Sequence, residues 1–167
     1  MTETDVCYLN AAGQPVVETR FRVRYHETDA MGIVHHAAYI TWFEEGRSAY
    51  LRALGYAYSR MEAEGVSLAI TELAARYHRA ARYDEEVIVI TCGQELLSRG
   101  MTFSYEVRRA ADGELLVTGS TRLIAVDAAS RVRRLPDAVR AALQHYTGWP
   151  SAASTAGSST DSSSSLR

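Results

Sequence analysis

The stretch that decides the fold is His26-Glu27-Thr28-Asp29-Ala30-Met31-Gly32-Ile33-Val34-His35-His36-Ala37-Ala38-Tyr39. It follows neither the two-residue alternation of a strand nor the recurrence of an amphipathic helix. The sequence on both sides is regular. Upstream, Val17, Thr19, Phe21, Val23 and Tyr25 alternate with Glu18, Arg20, Arg22 and Arg24, which predicts a half-buried strand over Val17–Tyr25. Downstream, Ile40, Phe43, Arg47, Tyr50, Leu51 and Leu54 recur at helical spacing. They predict a helix from Tyr39 to Leu54, about 24 Å long, with Gly55 as its C-terminal stop. The irregular segment is therefore a strand-to-helix junction.

Beyond the long helix, Ser59 and Glu62 have capping-box spacing, and a short helix is expected there, ended by Gly65. The remainder reads as strands. Val66–Tyr77, Glu86–Leu97, the alternating run Met101, Phe103, Tyr105, Val107, and Leu115–Val126 are the candidates. The run Val87-Ile88-Val89-Ile90 suggests burial on both faces. Ser98-Arg99-Gly100 and Asp112-Gly113 offer tight-turn chemistry, so an antiparallel meander is expected. Pro136 can begin a last helix reaching Tyr146. This order fits an α+β fold: one long central helix wrapped by a curved antiparallel sheet of about five strands. An α+β sandwich with another strand order also fits the periodicity.

Residues 16–147 would form this single domain. Residues 1–15 hold a possible extra short strand at Val6-Cys7-Tyr8-Leu9, and residues 148–167 read as a disordered, Ser-rich tail without the apolar surface to offset ordering entropy. A chain of 167 residues at 47% hydrophobic and 23% charged content is ordinary for a globular protein. A net charge of −2 argues against nucleic acid as a partner. No apolar stretch approaches the length of a membrane span, and Met1–Asp5, acidic and without basic residues, do not read as a signal peptide. Cys7 and Cys92 stand far apart, which suits a reducing, cytoplasmic compartment better than a disulfide framework. All 18 basic residues are arginine. Without lysine, Schiff-base chemistry is excluded.

Asp29, Gly32, Val34, His36 and Tyr39 resemble the D-x-x-G-x-V-x-H-x-x-Y pattern of the 4-hydroxybenzoyl-CoA thioesterase-like branch of the hot-dog superfamily, which includes the Tol-Pal-associated acyl-CoA thioesterases. Phe43-Glu44 and Arg47 are similar to that family's F-E-x-x-R continuation. The resemblance implies a single hot-dog domain and hydrolysis of acyl or aromatic acyl thioesters. It implies acyl-CoA or an acyl carrier protein as substrate partner and a homodimer or homotetramer with sites at the subunit interface. It calls for no cofactor and no metal. The alternatives are an acyl-carrier-protein thioesterase of a biosynthetic pathway and a non-catalytic acyl-CoA-binding protein.

The residues support that chemistry physically. A thioester is activated toward attack, but water is a poor nucleophile. Asp29 can serve as general base or as nucleophile. Gly32 lets the backbone bend sharply near a ligand. The helix that follows opens with N–H groups lacking intrahelical partners. By the resemblance, the backbone N–H of His36 polarises the thioester carbonyl, while Gly32, Val34 and Tyr39 contribute to substrate binding. The simple structural role for Asp29 is an Asx turn, and for Tyr39 it is pocket wall. His26, His35, His36 and His78 raise a metal site, yet adjacent histidines are expected to point apart and no ligand cluster completes one.

Two departures from the family pattern stand out. Ala38 replaces a residue able to cap the helix, so the cap comes from elsewhere or the N–H groups stay available. Gly46 interrupts the helix at about 1 kcal/mol relative to Ala, marking close packing of helices or room for an acyl chain. Arg76, Arg79 and Arg82, or Arg131, Arg133 and Arg134, are candidate phosphate contacts.

Overall fold

The computed structural model describes residues 6–145. The tail at 148–167 and the far end of the last helix at Tyr146 lie outside the described residues. Six strands form one antiparallel sheet: β1 (Val6–Leu9), β2 (Pro15–Arg22), β3 (Ser67–Tyr77), β4 (Glu86–Leu97), β5 (Gly100–Arg109) and β6 (Leu115–Val126). Helix α1 spans Ala38–Ala53, α2 Tyr58–Ala63 and α3 Asp137–His145. The sheet has one strand more than expected because Val6–Leu9 pairs with Pro15–Glu18 as an edge.

The order across the sheet is β1-β2-β4-β5-β6-β3. The hairpins β4–β5 and β5–β6 form as their turn residues predict, with Gly113 at φ 73° in the second. The meander expectation fails at β3. That strand does not lie beside β4; it pairs with β6, Ser67 opposite Val126 and Tyr77 opposite Val117. β4 lies between β2 and β5 instead. The connection from β3 to β4 is therefore a crossover, and it carries residues 78–85 over the start of α1.

The first strand also stops earlier than its alternation suggests, at Arg22. Val23 stays buried, exchanging hydrogen bonds with Glu85 and Asp84, but Tyr25 turns outward. The cause is Glu27. Its carboxylate accepts the Arg24 N–H at 2.7 Å and closes a 3-10 turn over Tyr25–Glu27.

Helix α1 buries a broader face than its spacing predicts. Tyr39, Trp42, Gly46 and Ala49 join Phe43, Arg47, Tyr50 and Leu51, while Ile40 is only half-buried. A curved sheet contacts more of a helix than a flat one, and α1 packs on β2, β4 and β5. Phe43 stacks on Tyr105 with ring centroids 4.5 Å apart. Gly55, at φ 83°, ends the helix as expected, its N–H returning to Arg52 O. Gly46 marks neither helix–helix packing nor acyl room. A Cβ there would lie 2.9 Å from Val89 Cγ1 and closer still to Thr91 Oγ1, so the glycine seats α1 against β4.

Two further expectations are corrected. The Ser59–Glu62 capping box does not form, because α2 begins two residues earlier, with Ala57 at the cap and Ser59 inside the first turn. Val87 and Val89 are buried, but Ile88 and Ile90 are only half-buried. The helical layer covers one face of the sheet, so a strand alternates even where its sequence is continuously apolar.

Candidate active site

The junction between β2 and α1 is a closed loop tied at several points. Thr28 and Val34 form an isolated antiparallel bridge. Within it, Asp29 N–H donates to Ile33 O and Gly32 N–H to Asp29 O, both at 2.9 Å. Gly32 takes φ 70°, a conformation that L side chains rarely adopt. It shapes the turn behind Asp29 and is not among the residues lining the adjacent cleft. Asp29 does form the Asx turn: Oδ1 accepts the Met31 N–H at 2.8 Å. Its second oxygen takes no hydrogen bond among the described residues, leaving it available to act on a ligand.

Beside this loop is a cleft of about 390 Å³, lined by Asp29, Met31, Ile33, Val34, His36, Tyr39, Tyr77, His78, Arg79 and Ala80. The structure thus brings four of the five sequence-predicted residues to one cavity. Val34 is buried, and its N–H donates to Ala81 O at 2.9 Å. Tyr39 is wall. Its hydroxyl accepts the Ala81 N–H at 3.0 Å, and burial pushes the phenol above its ordinary pKa, which disfavours its ionisation. The crossover loop is thereby fastened to the junction through both polar backbone atoms of Ala81.

The backbone N–H groups along 34–38 are nearly all engaged. Val34 bonds Ala81 O, His35 bonds Glu27 O at 2.8 Å, Ala37 bonds the His35 ring at 3.2 Å, and Ala38 bonds His35 O at 2.9 Å. The His36 N–H has no partner among the described residues. Ala37 occupies the helix cap position without a side-chain cap, so the first N–H groups inside α1 take no side-chain acceptor from it either. The His36 ring is exposed and lies against that of His35 at 4.1 Å. The expectation that these rings diverge is corrected: the irregular backbone before α1 leaves both on one side. Among the described residues no three His, Cys, Asp or Glu side chains gather as a metal site.

Sequence reasoning missed Tyr77 and Ala80 and weighed His78 only for a metal; all three reach the cleft because β3 crosses to β6. It also missed Glu27, buried beneath the loop and accepting a 2.9 Å hydrogen bond from Trp42 Nε1. Of the arginines, Arg79 lines the cleft and pairs with Glu114 at 3.3 Å. Arg131 and Arg133 are held by Asp127. Arg76, Arg82 and Arg134 form no ion pair among the described residues.

A helix held in a curved antiparallel sheet, with a carboxylate and an open backbone donor at the helix entrance, defines an enzyme of the hot-dog fold. The chain belongs to the thioesterase-like superfamily, whose family model matches residues 23–143. It is 32% identical over 126 residues to the acyl-CoA thioesterase YbgC of Haemophilus influenzae, covering 74% of this chain and 91% of that one. The solved DHNA-CoA thioesterase from Staphylococcus aureus superposes with a TM-score of 0.72 at 34% identity, over 78% of this chain and 91% of the other. The Thermus thermophilus protein TT1821 gives 0.73 at 39% identity, over 78% and 97%.

Proposed function

We propose that this chain hydrolyses acyl-CoA thioesters to free acid and thiol, with Asp29 as general base or nucleophile and the His36 backbone N–H as oxyanion donor. One observation carries the reading: the unbonded oxygen of Asp29 and the single unpartnered N–H of the 34–38 run belong to residues of one cleft. A carbonyl bound between them would meet attack on its carbon and stabilisation on its oxygen. A preorganised donor of that kind is worth ~10²–10³ in rate, and general-base action adds ~10²–10⁴. Val34 and Tyr39 form the wall for the acyl group, and Gly32 holds the turn that aims Asp29.

The reading includes a homodimer or homotetramer. β3 is a long edge strand exposing Ile70, Leu73 and Tyr77, a surface suited to pairing with a second copy. Cytoplasmic placement fits the two free thiols, Cys7 and Cys92. No helix among the described residues is long and apolar enough to cross a membrane.

The test is release of free thiol from short, long and aromatic acyl-CoAs and from acyl carrier protein thioesters. Asp29→Asn is expected to lower kcat ~10²–10⁴-fold. The amide keeps an oxygen for the Met31 N–H, so folding should be unaffected. A mutant as fast as the parent, or a parent inert on every thioester, rejects the proposal. Label appearing in the Asp29 carboxylate after a single turnover in ¹⁸O-water would identify the nucleophilic role, since it requires a covalent anhydride opened by water at the Asp29 carbon.

A further inference from the structure

The peptide plane between His36 and Ala37 is held at both ends. Its carbonyl oxygen accepts a 3.0 Å hydrogen bond from the Tyr77 hydroxyl. Its N–H donates to His35 Nδ1 at 3.2 Å, a role that leaves the ring proton on Nε2. Both holders are themselves fixed. The Tyr77 ring packs edge-on against buried Tyr39 with centroids 5.6 Å apart. His35 is bonded through its N–H to Glu27 O and through its carbonyl to the Ala38 N–H.

A peptide plane bonded through both polar atoms cannot turn without losing one bond. The neighbouring plane, which carries the His36 N–H, meets it at the His36 Cα. We propose that Tyr77 and His35 are positioning residues that set the direction of the His36 N–H toward the substrate carbonyl. This rests on the reading of that N–H as the oxyanion donor. Neither side chain needs to touch the reacting atoms. Within one copy of the chain the Tyr77 hydroxyl bond is exposed, so it adds little to the stability of that fold. Its leverage lies in geometry, because a misplacement of about 1 Å at a reacting centre can cost ~10²-fold in rate. The contact also explains how a residue 41 positions away from His36 comes to matter at the site.

The experiment is steady-state hydrolysis of the best acyl-CoA by Tyr77→Phe, His35→Ala and His35→Asn, with thermal melts and ¹H–¹⁵N spectra of ¹⁵N-histidine-labelled protein. Tyr77→Phe is expected to lower kcat roughly tenfold with KM within about twofold and an unchanged melting temperature. The His36 amide resonance should shift. His35→Ala should lower kcat similarly. His35→Asn should recover most of that loss, because its side-chain oxygen can accept from the N–H two residues on. An unchanged kcat with an unmoved His36 resonance in Tyr77→Phe overturns the clamp and leaves the proposed chemistry standing. An unchanged kcat with a shifted resonance overturns both, because turnover then ignores the direction of that N–H. A kcat loss that tracks a lower melting temperature in all three variants, with no rescue by Asn, makes the pair structural and also overturns the inference.

Discussion

Glu27 Oε1 accepts a 2.9 Å hydrogen bond from Trp42 Nε1, joining the loop between β2 and α1 to the first turns of α1 inside the protein. The other oxygen, Oε2, takes the Arg24 N–H at 2.7 Å. One carboxylate thus fixes where β2 ends and where α1 sits, and Asp29 lies on the loop between those points. It is a structural acid beside a candidate catalytic one.

Removing that acid should therefore cost stability. Glu27→Ala leaves the indole N–H and a backbone N–H without their shared acceptor, and charged hydrogen bonds are worth about 1.5–3 kcal/mol each. A loss of about 3–4 kcal/mol in urea unfolding is expected, with Glu27→Gln intermediate. A loss below about 1 kcal/mol for Glu27→Ala would show that water replaces the carboxylate.

Gly46→Ala sets two effects against each other. The helix gains about 1 kcal/mol of propensity. Against it, the new methyl meets Val89 and Thr91, both fully buried in β4, and overpacking costs about 1–3 kcal/mol. Packing should win, lowering stability by about 1–2 kcal/mol, and Thr91→Ala in the same chain should restore part of it. A melting temperature above the parent's would mean that α1 can move off the strand.

Asp127 contributes a pH-dependent term. Its carboxyl is held below the ordinary range first by the Arg131 N–H, then by the Ala129 N–H and the Arg131 guanidinium, with Arg133 nearby. A depressed folded value means stability that is present above the unfolded pKa of 3.8 and lost as pH falls through the lower folded value. Asp127→Asn should melt below the parent at pH 7, and the gap should close as pH drops under about 3.8. A gap that is constant with pH would assign the effect to turn geometry alone.

The exposed edge of β3 makes the oligomer testable. Ile70→Lys with Leu73→Lys puts two charges on that strand. Light scattering should find an assembly for the parent and a monomer for the double variant. A parent that is monomeric at micromolar concentration would remove the dimer from the proposed function.

The elements and the junction were legible because their signals are local. The alternation from Val17, the helical recurrence to Leu54 and the stop at Gly55 each depend on neighbours within a few residues. The spacing of Asp29, Gly32, Val34, His36 and Tyr39 belongs to the same class, and four of these five line one cleft. The helical spacing marks only part of the buried face of α1: Tyr39, Trp42 and Gly46 are buried as well, by curvature of the sheet, which no local period encodes.

What the sequence could not express was pairing at a distance. Every strand edge offers the same N–H and C=O groups, so the choice of β6 over β4 as the partner of β3 depends on the whole sheet. That choice carries the crossover to Tyr39 and Val34, and sets Tyr77 against His36. The sequence by itself determined which residues stand at the helix entrance, Asp29 and His36 among them. Only the tertiary structure decided which of their polar atoms stay open, because a hydrogen bond is settled by whatever the fold brings within about 3 Å.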